Sequence, residues 1–384
     1  MFDVNKCSGC GTCLMSCPVI DLNIDQAKEE IQNLINGSSF IVNQCAVCGT
    51  CDLNCPENLT PMELIKNLKY AQMEALKEKG QVPQVVNFML PFNSQNIFKM
   101  YENTMMPPEN LQKLKKWKSP QKSDELVLLG CAISYIYQDF YDNSTIKGLL
   151  EGKNIAGGLD FCCGELYHRL CYPISKPEVE EHLNSKFSAL GTDKLIVFCN
   201  ECHEAYRNEY KKIAQNYKII SIWEYISNAI ESGELKIKNN LNFKVVYHDP
   251  CSVKKYPELL NHPRKIIEAT GAELIELDHN RENALCCGLA LGLNGISQMG
   301  KIRKKRLEEV SNTGADIIVN SCPGCIINFA MDRKVRKDKF KIISVLELLR
   351  MACGEKIDLN RHPQIINELI NKSLSMASTL TQNL

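Results

Sequence analysis

Residues 7–18 read CSGCGTCLMSCP, and residues 45–56 read CAVCGTCDLNCP. Each run holds four cysteines, separated by two, two and three residues, and ends on a proline. Three thiols this close together can bind one metal centre, while the proline directs the fourth thiol away from the other three. These two runs decide how the first part of the chain folds, because their loops must close around whatever the thiols bind.

The spacing is that of the bacterial ferredoxin run, in which the fourth cysteine ligates the cluster of the other run. We therefore predict two cubane [4Fe-4S] clusters with crossed ligands. Cys7, Cys10, Cys13 and Cys55 would hold the first cluster, and Cys45, Cys48, Cys51 and Cys17 would hold the second. The alternative is a pair of structural zinc sites, which also use Cys-x2-Cys pairs. Two complete runs with both prolines favour iron–sulfur over zinc.

Helical patterns surround these cysteines. Ile20 to Asn36 carries apolar residues at helical spacing. A second helix is expected after Thr60, where Pro61 takes the first helical position and Glu63 completes a capping box. Residues 1–80 are thus predicted to form a helical, ferredoxin-like domain with two [4Fe-4S] clusters.

Composition limits the class of protein. The 384 residues include 20 cysteines. Lys+Arg and Asp+Glu are both 45, so the chain has no net charge that would favour binding to nucleic acid or to an anionic membrane. The N-terminus lacks the charged-then-apolar pattern of an export signal, so we expect ligand cysteines in a reducing cytoplasm instead of disulfides. No apolar run reaches the roughly 18 residues of a spanning helix, so any membrane association is expected through a partner.

Residues 81–124 are rich in proline and are predicted to be a linker. Beyond them, short apolar runs each precede a cysteine. They are typical of buried strands that deliver thiols at the carboxyl ends of a parallel sheet, where α/β proteins usually place ligands. The four runs are Leu126–Leu129, Leu195–Phe198, Phe243–Tyr247 and Ile317–Val319. Helical segments are expected between them, at Pro177–Leu190 and Ile296–Val310.

The cysteines of this region form two similar sets. The first set is Cys131, Cys162, Cys163, Cys199 and Cys202, and the second, offset by 120 to 124 residues, is Cys251, Cys286, Cys287, Cys322 and Cys325. Internal duplication of one α/β unit explains the repeat. We predict a first cysteine-rich domain over residues 125–240, a second over 241–353, and a C-terminal tail over 354–384. The fold class is then α+β multidomain, with a helical ferredoxin-like domain ahead of two duplicated α/β domains.

Each set offers five thiols, one more than a cubane cluster takes. Adjacent cysteines point their side chains apart, which suits two irons of an extended cluster better than one iron. A zinc site that uses four of the five thiols is the alternative. A disulfide between neighbours is disfavoured by its strain and by the reducing compartment.

Both cysteine pairs continue into glycine, as Cys162-Cys163-Gly164 and Cys286-Cys287-Gly288, and residues 247–251 and 281–288 read YHDPC and RENALCCG. These phrases resemble the cysteine-rich (CCG) domains of heterodisulfide reductase. With two ferredoxin runs ahead of them, the chain resembles the D subunit of that enzyme and the iron–sulfur subunits of glycolate, lactate and anaerobic glycerol-3-phosphate dehydrogenases. The resemblance runs from Cys7 to about residue 350.

The resemblance implies a noncubane [4Fe-4S] cluster on each five-cysteine set, so that all ten cysteines are catalytic. Electrons would pass singly through the two cubanes to these clusters, which would cleave a heterodisulfide such as CoM-S-S-CoB between them. Ser252 to Lys255 stand where relatives often carry His and Gly-Arg, which leaves the identity of the disulfide open. The alternative is an electron-transfer subunit of a flavin-linked 2-hydroxyacid or glycerol-3-phosphate dehydrogenase. Either function implies a redox partner subunit, a flavoprotein or a membrane cytochrome b.

Other cofactor signals are weaker. Residues 199–203 read CNECH, the c-type haem attachment motif, but that attachment follows export, so no haem is expected. No Gly-rich dinucleotide fingerprint is present, so flavin would belong to a partner. His168 and His203 are either hydrogen-bond donors near the clusters or ordinary buried histidines. The basic residues of 301–306 either attract an anionic thiol or an acidic donor, or form a solvated helix face.

Overall fold

The computed structural model describes residues 2–291, 296–315, 317–332 and 340–382. Within them, the strands form two four-stranded parallel sheets. The strands are β1 (Glu125–Leu128), β2 (Asn154–Ala156), β3 (Lys194–Val197), β4 (Lys218–Ser221), β5 (Lys244–His248), β6 (Glu273–Ile275), β7 (Ile317–Asn320) and β8 (Lys341–Ser344).

Helices precede, separate and follow these strands. Before the first sheet lie α1 (Thr12–Met15), α2 (Ile24–Ile35), α3 (Ile41–Gln44), α4 (Thr50–Leu53), α5 (Pro61–Glu78), α6 (Gln84–Met89), α7 (Ile97–Thr104) and α8 (Pro108–Lys118). With the first sheet come α9 (Cys131–Tyr135), α10 (Ser144–Leu149), α11 (Glu165–Arg169), α12 (Lys176–Ala189), α13 (Asn200–Glu204), α14 (Lys211–Asn216) and α15 (Ile222–Glu231). With the second sheet come α16 (Pro257–Ala269), α17 (Ile296–Thr313), α18 (Pro323–Ala330), α19 (Val345–Ala352) and α20 (Arg361–Gln382).

The N-terminal part is helical and folds around its cysteines, as the sequence predicts. Asn23 starts α2 with a capping box, in which its Oδ1 accepts from Gln26 N at 2.9 Å and Gln26 Oε1 accepts from Asn23 N at 3.0 Å. Ala27, Ile31 and Leu34 on the inner face of α2 are buried in one cluster with residues of α1, α3 and α5. This small core holds the two cysteine runs side by side.

The two sheets share one strand order, β2-β1-β3-β4 in the first and β6-β5-β7-β8 in the second. In the first sheet Leu128 pairs with Val197, and in the second His248 pairs with Asn320. Parallel strands end on the same edge of a sheet, so the loops that follow them meet there. A common order is what internal duplication predicts, although shared ancestry of the two units stays a prediction.

Both sheets pack into one hydrophobic core. Val127 and Ile196 of the first sheet belong to the same buried cluster as Val245 and Ile318 of the second. Helix α15 of the first unit packs against α16 of the second. The two cysteine-rich units are therefore held by a continuous apolar interface.

The segment 81–124, for which the sequence predicts a linker, contains the helices α6, α7 and α8. Leu114 and Trp117 of α8 are buried in the main core, and Trp117 O accepts from Gly157 N at 3.0 Å. The C-terminal segment contains α20, whose Ile366 and Leu369 join the same core. In the described part of the chain, no helix is long and apolar enough to cross a bilayer.

Candidate metal centres

The five cysteines of the first set meet at the carboxyl edge of the first sheet. Their thiols form one series of direct interactions, in which Cys131 interacts with Cys162, Cys162 with Cys163, Cys163 with Cys202 and Cys202 with Cys199. Gly130 permits this approach, since a Cβ there would lie 3.0 Å from Cys199 Cβ and 3.3 Å from Cys202 Sγ. The structure thus brings together all five residues that the sequence assigns to this site.

The second set has the same arrangement. Cys251 interacts with Cys286, Cys286 with Cys287, Cys287 with Cys325, and Cys325 with Cys322. Cys251 opens a single 3-10 turn after β5, and Cys322 precedes α18 directly after β7. The corresponding residues of the two sets therefore leave equivalent positions of the two sheets.

The electrostatics of each set fit a cationic centre with sulfur ligands. Contact with the Cys286 thiol, together with burial, raises the pKa of Cys251 well above its usual value. By contrast, contacts from the Cys286 and Cys325 thiols lower the pKa of Cys287 to about 6. In the first set, contacts from Cys162 and Cys202 likewise lower the pKa of Cys163. Five thiols this close together, most of them buried, cannot all ionise without a cation, and iron in a cluster would supply that charge.

The glycine after each cysteine pair turns a backbone N–H back onto sulfur. Gly164 N donates to Cys162 Sγ at 3.5 Å, and Gly288 N donates to Cys286 Sγ at 3.3 Å. Both glycines have positive φ, 70° and 93°, a conformation that other residues adopt only with strain. Such N–H donors stabilise sulfur ligands in their ionised form.

The N-terminal runs bring their thiols together in the crossed pattern. Burial, followed by the neighbouring Cys55, Cys10 and Cys7 thiols, raises the pKa of Cys13 to about 12. For Cys45 the pKa is also raised to about 12, mainly by burial, and the thiols that act on it are Cys48 and Cys17. Cys55 of the second run thus lies near Cys13 of the first, and Cys17 of the first run lies near Cys45 and Cys48 of the second; Cys51 adjoins Cys45 and Cys48.

The loops of the two five-cysteine sites touch each other. Asn200 Nδ2 donates to Ser321 O at 3.2 Å and to Ser321 Oγ at 3.1 Å. Asn200 Oδ1 accepts from Trp223 Nε1 at 2.8 Å, which fixes the amide. Asn200 follows Cys199 and Ser321 precedes Cys322, so the loops that carry one cysteine of each set are in direct contact.

The second ferredoxin-like run lies against the second site. Cys48 and Cys286 belong to one buried cluster that also contains Met299. Beside them, the Lys254 side chain is 2% exposed, and its Nζ donates to Thr50 Oγ1 at 2.9 Å and to the Ala284 carbonyl. Thr50 Oγ1 in turn lies 3.4 Å from Cys48 Sγ. A buried ammonium group thus joins the N-terminal part to the second cysteine-rich unit.

A polar cleft lies where the N-terminal part meets both cysteine-rich units. Its lining includes Cys48 and Cys251, the cations Lys66 and Lys255, and Arg169. Arg169 Nη1 donates to Val47 O at 2.8 Å, and its Nε donates to Glu201 Oε2 at 2.9 Å. The cleft reaches a thiol of the second site and a thiol of the second run.

For the two histidines singled out in the sequence, the described structure shows no hydrogen bond between the ring and a thiol, although Cys171 Sγ donates to the His168 carbonyl at 3.7 Å. His168 lies between the hydroxyls of Tyr70, at 3.4 Å, and Tyr210, at 3.5 Å. The ring of His203 packs edge-on against Tyr256. Both are buried, and burial lowers their pKa, to about 3 for His168 and about 4 for His203.

The histidine that does face sulfur is one that the sequence reasoning missed. A ring nitrogen of His248 and the Sγ atoms of Cys287 and Cys325 all lie within 4.8 Å of one another. The available signal was its position, because His248 ends a buried strand three residues before Cys251. Nearness in sequence to a cysteine ligand selects His168 and His203 as candidates for a contact with sulfur. The geometry of the strand selects His248 instead.

The basic run of α17 is not a uniformly solvated face. Arg306 is fully buried, Arg303 Nε lies 3.1 Å from Asp332 Oδ2, and Lys305 Nζ lies 3.4 Å from Asp21 Oδ1 of the N-terminal part. Lys304 is exposed and lies 3.6 Å from Glu308. The run therefore serves mainly in contacts within the protein.

Comparison with known proteins identifies two domains. Residues 6–60 match the 4Fe-4S dicluster domain family, and residues 245–330 match the cysteine-rich domain family, CCG. The chain therefore contains both domains, and the second covers the second five-cysteine set. The first set lies outside the matched ranges.

Several characterised or named proteins are similar to the chain. EtfAB:quinone oxidoreductase of Syntrophomonas wolfei is 27% identical over 59% of this chain and 34% of that protein. The D subunit of dihydromethanophenazine:CoB–CoM heterodisulfide reductase from Methanosarcina mazei is 24% identical, over 69% of each protein. The probable iron-sulfur-binding oxidoreductase FadF of Bacillus subtilis is 25% identical over 52% of this chain and 29% of that protein. The chain thus spans about a third of the length of the first and third of these relatives.

Proposed function

We propose that this iron–sulfur oxidoreductase, a relative of the heterodisulfide reductase D subunit, receives electrons at its dicluster domain and uses them to reduce a disulfide at its five-cysteine sites. The balanced reaction takes two electrons and two protons and converts one disulfide to two thiols. The electrons come from a redox partner subunit, a flavoprotein or a membrane cytochrome. CoM-S-S-CoB is the first substrate to test, because it is named for a relative.

In this proposal the crossed sets of the N-terminal runs hold two cubane clusters, and each five-cysteine set holds a noncubane [4Fe-4S] cluster. Bound clusters supply one-electron transfer and iron atoms with affinity for soft sulfur ligands. The protein supplies the thiolates, the N–H donors of Gly164 and Gly288, and a buried setting. The ten cysteines of the two sets would be the catalytic residues.

The observation that carries the proposal is the pair of complete five-thiol sets whose loops meet at Asn200 and Ser321. A subunit that only relays electrons has no need of two such sites. A disulfide has two sulfur atoms, and two adjacent sites can each receive one of them as the bond breaks.

Contacts also identify the side of the five-cysteine sites at which electrons would arrive from the dicluster domain. Cys48 of the second run packs with Cys286 of the second set, and the apolar residues around them exclude water. Lys254 fixes this junction through Thr50 and Ala284. The cleft beside Cys251 is lined by charged side chains of both signs, among them Arg169, Lys255 and Glu165.

The test uses protein purified without oxygen, reduced viologen as the electron source, and a panel of disulfides that begins with CoM-S-S-CoB. We expect disulfide cleavage without any flavoprotein. Cys287→Ala should abolish cleavage while the dicluster domain still takes up electrons, because only the second set loses a ligand. Cys171→Ala is the matched control, since Cys171 is buried but belongs to neither set. Turnover that begins only when a flavoprotein is added would instead identify an electron-transfer subunit.

A further inference from the structure

His248 occupies an unusual position in the second site. Its side chain is 1% exposed, and its Nδ1 accepts a hydrogen bond from Arg306 Nε at 3.2 Å. Its Nε2 has no hydrogen-bond partner in the described structure. The Sγ atoms of Cys287 and Cys325 lie within 4.8 Å of a ring nitrogen and of each other. Because Arg306 already occupies Nδ1, Nε2 is the ring nitrogen available to these sulfur atoms.

The hydrogen bond from Arg306 decides where the proton of the imidazole lies. A guanidinium group has only donors, so Nδ1 must present its lone pair. Arg306 is itself held in place, because its Nη1 donates to His279 O at 2.7 Å and to Glu309 Oε2 at 2.6 Å. His248 is then neutral, with its single N–H on Nε2. The ring is further fixed by Phe329, whose centroid lies 4.9 Å away at an interplanar angle of 88°.

The group of His248, Cys287 and Cys325 looks like a three-ligand metal site, yet this tautomer excludes it. A metal ligand must offer a nitrogen lone pair, and Nε2 carries a proton instead. What Nε2 offers is a buried N–H without a partner in the described structure, on a ring that has one nitrogen within 4.8 Å of the Sγ atoms of Cys287 and Cys325. Hydrogen bonds to sulfur help to set the reduction potential of iron–sulfur clusters, because they stabilise the more negative, reduced form.

The first site lacks this donor. Leu128 lies three residues before Cys131, just as His248 lies three residues before Cys251. The two residues also hold the same place in their sheets, since Leu128 pairs with Val197 and His248 with Asn320. A leucine side chain cannot donate a hydrogen bond, so the two otherwise similar sites differ at this position.

We propose that His248 donates its Nε2–H to sulfur in the second site and gives that site a higher reduction potential than the first. This inference rests on the proposed function, because it requires a cluster on the second set. The site that adjoins the dicluster domain is then the one reduced first. The first site follows, across the contact of Asn200 with Ser321.

The test is a redox titration followed by electron paramagnetic resonance, with the second-site signal identified as the one lost in Cys287→Ala. In His248→Leu, which copies the first site, the one-electron equilibrium should shift about tenfold toward the oxidised form, a fall of about 59 mV. His248→Gln keeps an N–H donor at this place and should restore most of the potential. Iron content should be unchanged in both variants.

A second measurement needs no substitution. In the native protein with ¹⁵N-labelled histidine, pulsed resonance should show a weak nitrogen coupling to the second-site signal, as expected across a hydrogen bond. A strong coupling would make His248 a ligand and would overturn the tautomer; no coupling would overturn the contact. Full iron content with an unchanged potential in His248→Leu would refute this inference alone. A protein with iron only in its dicluster domain would refute the proposed function, and this inference with it.

Discussion

At the scale of single residues, the glycine after each cysteine pair combines two requirements. Gly288 has φ of 93°, and a Cβ added to it would lie 3.1 Å from Met299 O. Its N–H also points at Cys286 Sγ. A larger residue at this position would strain the backbone and approach Met299 O too closely. It would also move the N–H away from Cys286 Sγ.

Gly288→Ala should therefore destabilise the protein by more than the about 1–2 kcal/mol expected for a left-handed backbone alone, and it should lower the iron bound at the second site. Gly191→Ala is the matched control. Gly191 has φ of 67°, but nothing lies within 4 Å of an added Cβ. Gly191→Ala should lose only the stability expected for alanine in a left-handed backbone conformation, and it should keep its full iron content. Iron analysis and anaerobic denaturation of both variants measure the difference, and equal effects would contradict the role of Gly288.

At the scale of elements, α4 docks on the second cysteine-rich unit through one buried cation. Lys254 Nζ binds Thr50 of α4 and the carbonyl of Ala284, whereas its neighbour Lys255 is 39% exposed and lies 3.4 Å from Asp52. The two lysines bind the same helix from adjacent positions, but only one is buried. They offer a direct comparison of a buried and a surface contact.

Lys254→Met should lower the free energy of unfolding by about 1–3 kcal/mol, because the buried Ala284 carbonyl loses its donor while the apolar stem still packs. Lys255→Met should cost less than about 1 kcal/mol, as is usual for an exposed ion pair. The potential of the cluster on the second run should also fall in Lys254→Met, since a nearby positive charge is removed. Similar losses in the two variants, measured by anaerobic denaturation, would show that the junction does not depend on Lys254.

The strands show how far sequence reasoning reaches. Apolar runs before cysteines predict β1, β3, β5 and β7 to within about one residue at each end. They miss the other four strands, because no cysteine follows these closely. A signal was nevertheless present, since residues 218–221 and 341–344 both read KIIS and form the equivalent edge strands β4 and β8.

The helix after Thr60 begins at Pro61, as predicted, but the hydrogen bonds at its start differ from the prediction. The expected capping box at Thr60 does not form; Thr60 Oγ1 donates to Glu63 Oε2 at 3.0 Å instead of accepting from the backbone. Capping boxes occur at Asn23 and at Ser344. Asn23 and Ser344 have the extended backbone typical of a helix N-cap, with ψ of 171° and 153°, whereas Thr60 has ψ of 73°.

At the scale of the whole molecule, the cysteines were predictable and the connections between their sites were not. The spacing of the cysteines in the sequence is enough to predict which thiols belong together, because short loops must bring the ligands of one metal centre close to each other. The face-to-face loops of Asn200 and Ser321, and the burial of Lys254 and Arg306, depend on how the two sheets pack. Such contacts join residues far apart in sequence, which no local pattern records.

The packing also makes two similar sites unequal. The dicluster domain contacts the second site through Cys48 and Cys286. His248 lies near the thiols of the second site, whereas Leu128 holds the equivalent position beside the first site. The second site is thus the entry point in our account. In the proposed function, the first site completes a pair, and each site of the pair would bind one sulfur of a disulfide.

We propose that both ferredoxin-like runs and both five-cysteine sets hold iron–sulfur clusters. The most direct measurement is the metal content of protein purified without oxygen. The account predicts about 16 iron atoms per chain, in four clusters of about four, with almost no zinc. A content near 8 iron atoms with one or two zinc atoms would show that the five-cysteine sets are zinc sites, and it would contradict the account.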